Sequence, residues 1–201
     1  WAPRGVDLTP TDRARAAWLW SGRDAVLAGL SASALYGAKW IDPATPVELV
    51  HTNRRPPRGV IVHSDQLLPG ESRLVRGLPA TTSARTAFDI GRRHHFIAAV
   101  QRIDALMNTT DVNVVDVQAV MLRHRGSRGI TRLRKVLEYV DSGSESPYES
   151  LTRITLISNG FPRPQTQIRV PDEDGFVMAR IDMGWPEWRV GVEFDGAQHW
   201  T

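Results

Sequence analysis

The chain has 201 residues, 41% hydrophobic and 23% charged, a balance that fits a folded globular protein and excludes a disordered one. It has no cysteine, which excludes disulfides and thiolate zinc sites; no apolar run reaches the roughly 18 residues of a membrane span, and no signal peptide opens it, so a cytoplasmic protein is expected. Net charge is +3, yet residues 1–141 carry 20 Arg/Lys against 13 Asp/Glu while residues 142–201 carry 5 against 9, a basic part suited to a polyanion and an acidic part suited to divalent cations, unless the surface charge is simply scattered by chance.

Residues 10–20 are expected to form a helix, with Thr9 as N-cap and Pro10 at the first helical position. A second short helix runs from Gly29 to Tyr36 and is stopped by Gly37. Alternating apolar stretches at 47–51, 59–63 and 73–75, separated by Pro/Gly turns, predict short strands. From Ser83 to Tyr139 the periodicity is helical, in four segments broken near Gly91, 109–111 and 126–129. The polar stretch 141–147 marks the best domain boundary, dividing the chain into a basic module, 1–141, and a second unit, 142–201. That unit reads as one helix, 147–159, and three strands, 165–170, 176–182 and 189–195. The fold class is therefore α+β: a mixed N-terminal module with a helical middle, then a helix plus three strands.

The last strands carry the chemistry. Along 188–195, Val190, Val192 and Phe194 share one face and are expected to be buried, while Glu193 and Asp195 share the other. In the preceding strand Arg180 and Asp182 share a face, and a turn containing Gly184 and Pro186 folds Asp182 back toward Glu193. Carboxylates crowded this way need a cation between them, and oxygen ligands suit Mg²⁺ or Mn²⁺. The same spacing also fits a surface hairpin with an Arg180–Glu193 pair. Glu149 has two readings of its own, since Ser146-x-x-Glu149 with Pro147 between is a capping box in any protein.

The ordered strings Ser146-Pro147-Tyr148-Glu149-Ser150, Gly160-Phe161-Pro162-Arg163-Pro164 with Gln167, Ile181-Asp182, and Val192-Glu193-Phe194-Asp195-Gly196 through His199 resemble the very-short-patch-repair-like endonucleases. That family belongs to the PD-(D/E)XK, or restriction-endonuclease-like, superfamily, and the likeness covers about residues 144–201. It implies metal-dependent hydrolysis of DNA phosphodiesters, with Asp182 and Glu193 as Mg²⁺ (or Mn²⁺) ligands, Glu149 approaching the metal from the helix, and Gln167 lining the site. Asp195 stands where the superfamily has Lys, a departure that leaves Gln198 and His199 as the nearest substitutes, although a histidine in such a place is more often an ordinary partly exposed one than a general base. The chain starts at Trp1 without an initiator Met and stops at Thr201, before the helix and strand that the superfamily core would add. It is accordingly expected to be part of a longer polypeptide, or to have its strand edge covered.

Positive charge for DNA is concentrated at 121–135, which carries Arg123, Arg125, Arg128, Arg132, Arg134 and Lys135 with no acid among them, as a phosphate-contacting surface or as a solvated helix face. Arg54, Arg55 and Arg58 form a second, smaller patch. His94-His95 reads as helix surface, and Gly126-Ser127-Arg128-Gly129 is too short and too basic for a P-loop. The strings Leu27-Ala28-Gly29-Leu30-Ser31-Ala32-Ser33-Ala34-Leu35-Tyr36-Gly37 and Thr81-Thr82-Ser83-Ala84-Arg85-Thr86-Ala87-Phe88-Asp89 are similar to the region that accompanies a winged helix in abortive-infection-type antitoxins. The sequence is read first as a metal-dependent DNA endonuclease whose basic part positions the DNA; the alternatives are a non-catalytic DNA-binding regulator of toxin–antitoxin type and a protein-interaction module using an exposed strand edge.

Overall fold

The computed structural model describes residues 8–52 and 55–194. Thr9 and Asp12 form a reciprocal capping box that starts α1 (Pro10–Trp20). Next come β1 (Val26–Leu27), α2 (Gly29–Leu35), β2 (Val47–Val50), β3 (Val60–His63), β4 (Ser72–Val75) and β5 (Leu78–Thr81). The strands form one mixed sheet in the order β3-β2-β1-β5-β4: β1 is antiparallel to β2 and parallel to β5, and β3 is parallel to β2. Ala14 and Ala17 of α1 and Ala32 and Leu35 of α2 close a core over Leu27, Leu49, Leu78 and Ala80.

β1 has two residues, too few to show alternation, and is placed by its pairing with β2 and β5. β5 contains Pro79 and forms a hairpin with β4 across Arg76-Gly77, both at positive φ.

Four helices follow: α3 (Ser83–Arg93), α4 (Phe96–Met107), α5 (Val114–Arg123) and α6 (Ile130–Leu137). The first break falls at His94-His95, where His94 is extended and His95 caps α4, not at Gly91. Gly91 is buried inside α3, and a Cβ there would fall on a Leu133 methyl, so its smallness lets α6 pack close. Phe88, Ile103, Leu106, Leu133 and Val136 form the second core.

Helix α7 (Pro147–Ser158) reaches that core through Ile154 and leads into an antiparallel sheet of β6 (Gln165–Pro171), β7 (Val177–Trp185) and β8 (Val190–Val192). β7 outruns its expected end, so Gly184 lies inside the strand, and the turn is a 3-10 segment, Pro186–Trp188, followed by Arg189 in the left-handed region. The molecule is α+β. Among the described residues no helix is long and apolar enough to cross a membrane.

A buried polar joint seats α7 on α4. Arg153, fully buried, reaches Asp104, the Tyr139 carbonyl and Ser144 Oγ, while Ser150 Oγ donates to Asp104 Oδ2 at 2.6 Å. Asp104 Oδ1 accepts the Asp141 N–H at 2.7 Å. Burial pushes the Asp104 carboxyl up to about 6, against the pull of Arg153, Ser150 and the Asp141 N–H.

Candidate functional site

The first turn of α7 sets the acidic site. Ser146 Oγ accepts the Glu149 N–H at 3.2 Å, half of the expected capping box. The reciprocal half is replaced, because the Glu149 carboxylate accepts the Glu145 N–H, at 2.9 Å. Glu149 is buried, and burial, aided by the charges of Asp182 and Glu145, raises its carboxyl despite the bonds from Glu145 and Ser146. Gln167 Nε2 approaches Glu149 Oε2 at 3.4 Å, and Gln167 Oε1 is buried without a hydrogen-bond partner.

Gln167 lies in β6 with φ 53°, a left-handed backbone unusual for a side chain other than Gly, Asn or Asp. Its neighbours Thr166 and Ile168 pair with Met183 and Ile181, which sets Gln167 opposite Asp182. On the other side of β7, Met183 pairs with Val192, the last residue of β8, and Glu193 follows directly beyond that strand. Asp182 Oδ2 accepts the Phe194 N–H at 2.9 Å.

The structure thus gathers Glu149, Gln167 and Asp182, with Glu193 exposed at the rim. Arg180 pairs with Glu145 at 2.8 Å, not with Glu193. The expected burial of the β8 apolar face is corrected: Val190 is 46% and Phe194 39% exposed, and the one ring contact of Phe194 among the described residues is a stack on Tyr148, itself exposed, with centroids 4.7 Å apart. Asp195, Gln198 and His199 lie outside the described residues, as does Arg54. Among the described residues no group of three or more His, Asp or Glu converges as a metal site would require, so the donor set is incomplete and no metal-dependent step is derived from it.

The basic stretch divides by contact. Arg123 donates to the Pro69 carbonyl at 2.9 Å and lies 3.4 Å from Glu71; Arg132 donates to the Arg93 and His94 carbonyls at 3.3 and 3.2 Å; Lys135 sits over the Phe96 ring. Arg125, Arg128 and Arg134 are exposed, with no hydrogen bond or ion pair among the described residues.

Sequence reasoning missed a buried ionic network in the same region. Arg85, 1% exposed, bridges Glu71 and Asp89; Arg92 bridges Asp89 and Asp65; Arg93 reaches Asp65 at 2.9 Å, Asp89 at 3.2 Å and Glu48 at 3.8 Å. His63 closes one end on Glu48 at 2.8 Å and His124 the other on Glu71 at 2.7 Å. Glu48 also accepts the Leu30 N–H at 2.9 Å, capping α2 where Ala28 has no side chain to do so, and a Cβ at Gly29 would strike its carboxylate. The signal was the spacing Arg85, Asp89, Arg92, Arg93 on one helix, which places opposite charges three and four residues apart.

The sheet and α2–α6 are the part of the chain that a known family covers. Residues 25–139 match the AbiEi antitoxin C-terminal domain, and the chain belongs to that family. The match starts just before β1 and ends just after α6, so the family assignment covers neither α1 nor the acidic site. Two uncharacterized proteins of Mycobacterium tuberculosis, from strains CDC 1551 / Oshkosh and ATCC 25618 / H37Rv, are each 30% identical over 144 residues, 72% of this chain and 52% of theirs. The chain spans about half the length of these curated relatives. No solved structure matches it.

Proposed function

We propose that this chain is a DNA-binding regulator of the toxin–antitoxin type, in which the basic α+β module does the work and residues from about 142 onward form a second unit seated on it. The family match over residues 25–139 carries the reading, because it coincides with one folded layer of sheet and helices. Arg125, Arg128 and Arg134 support it, as exposed cations with no hydrogen bond or ion pair among the described residues, able to meet phosphates. Binding to duplex DNA in a salt series tests it. The apparent association constant should fall with salt by about one unit of logarithmic slope per phosphate contact, and the DNA should stay intact. Salt-independent binding, or none, counts against the reading.

A second reading is Mg²⁺- or Mn²⁺-dependent phosphodiester hydrolysis at the C-terminal unit, as its resemblance to very-short-patch-repair-like endonucleases implies. One observation favours it: Glu149, Gln167 and Asp182 meet at one place with no cation between the two acids. In this reading Asp182 and Glu193 would be the ligands, and they would need further donors, because no group of three acids or histidines converges among the described residues. Cleavage of plasmid DNA that needs Mg²⁺ and is lost in Asp182→Asn and Glu193→Gln, with DNA binding retained, selects this reading over the first.

A further inference from the structure

The last turn of α3 and the first turn of α6 enclose an open cleft of about 550 Å³ lined by Arg92, Arg93, Arg128, Gly129, Thr131 and Arg132. The two turns meet closely because Gly129, at φ 90°, lies directly against the Arg92 carbonyl, where a Cβ would collide with the oxygen. Four arginines therefore border one cleft, two from α3, one from α6 and one from the loop that leads into α6.

The charges there do not cancel. The buried network has four carboxylates, Glu48, Asp65, Glu71 and Asp89, and four guanidinium partners, Arg85, Arg92, Arg93 and Arg123. It closes on itself. Arg128 and Arg132 stand outside it, and among the described residues no carboxylate pairs with either. Arg132 spends one nitrogen on the Arg93 and His94 carbonyls, and Arg128 spends none. The network also fixes Arg92 and Arg93 in place, so the cleft has a rigid cationic wall and two uncompensated charges at its mouth.

We infer that this cleft is a binding site for a phosphate group, held chiefly by Arg128 and Arg132. Planar guanidinium forks match phosphate oxygens two at a time, and the excess of two positive charges offsets the single charge of a strand diester or the double charge of a terminal monoester. The volume takes a phosphate with a sugar attached. The ester has two possible sources, a free nucleotide or a nucleic-acid strand. The inference stands on the cleft and does not require the regulator reading.

Pyrophosphate titrated calorimetrically into the intact protein is the test. Saturable binding is expected, about ten-fold weaker in Arg128→Gln and unchanged in Arg134→Gln, which removes an equal charge from the same region outside the cleft. Arg128 makes no internal hydrogen bond or ion pair among the described residues, so its variant should keep the wild-type melting temperature. Displacement of bound duplex DNA by pyrophosphate would assign the site to a strand phosphate; simultaneous binding would assign it to a free ester. A protein that binds pyrophosphate and no DNA keeps this site and loses the regulator reading. No saturable binding, or equal weakening by Arg134→Gln and Arg128→Gln, overturns the inference.

Discussion

Glu71 and Glu149 are both buried carboxylates, one in each part of the chain, and their surroundings push them in opposite directions. Burial raises Glu71, but the Leu68 N–H, His124 and Arg85 outweigh it and hold the group below its usual range. Burial also raises Glu149, and there the nearest charges are Asp182 and Glu145, so the group stays above its usual range. The contrast extends to their neighbours. Glu48, Asp65 and Asp89 each meet an arginine, whereas no cation reaches Glu149, Asp182 or Glu193 among the described residues. Acids in a closed network are committed to the fold. Acids that crowd without a cation cost the fold something, which is why the C-terminal cluster is a candidate site and the larger network is scaffold.

The contrast breaks most visibly at Arg85. Replacing it with Ala leaves Glu71 and Asp89 buried without their shared cation, and should cost about 3–5 kcal/mol in chemical denaturation. A loss under about 1 kcal/mol would mean that water already screens the network.

The joint between the two parts should show itself in pH. The Asp104 carboxyl titrates at about 6 when folded and near about 3.9 when unfolded, so the folded state holds this proton more tightly. The stability it lends is complete below about pH 4 and is lost as pH rises through about 6, an effect of about 2–3 kcal/mol, because a tenfold difference in proton affinity is worth about 1.4 kcal/mol. Denaturation midpoints from about pH 4 to about pH 7 should carry this slope in the native chain and lose it in Asp104→Asn.

Gly129→Ala should cost at least about 1–2 kcal/mol, because a left-handed backbone now carries a Cβ and that Cβ meets the Arg92 carbonyl. The same change at Gly160, which has a left-handed φ but open space, should cost only the backbone part, so the difference in melting temperature measures the close approach.

The smallest effect sharpens the comparison. Asp182→Asn removes a charge that disfavours ionised Glu149, so stability should stay within about 0.5 kcal/mol of the native value or rise slightly, and the Glu149 carboxyl should titrate lower by NMR. A large loss of stability would place Asp182 in the scaffold instead.

Local signals in the sequence predicted local structure well. Thr9 and Pro10 fixed the start of α1, Ser146 and Pro147 that of α7, and the alternation at 47–50 and 60–63 the strands β2 and β3. Whatever depended on tertiary partners was hidden. β1 exists because it pairs with β2 and β5, Gly91 stays helical because Leu133 needs the room, and Gly184 continues a strand because Gly191 and Val190 lie against it. At the acidic site, nothing local marked the left-handed Gln167 or the Glu145 N–H that donates to the Glu149 carboxylate. The ionic network was half legible: its helical spacings are in the sequence, while Glu48, Asp65 and Glu71 reach it only through the sheet and its loops.

The regulator reading is tested most directly by fluorescence anisotropy of a labelled duplex with the intact protein, across a salt series containing Mg²⁺, with the same samples run on a denaturing gel. Saturable binding that weakens steeply with salt, with the strands uncut, is the predicted result. Strands cut in Mg²⁺ and spared in Asp182→Asn, or no binding even at low salt, would contradict it.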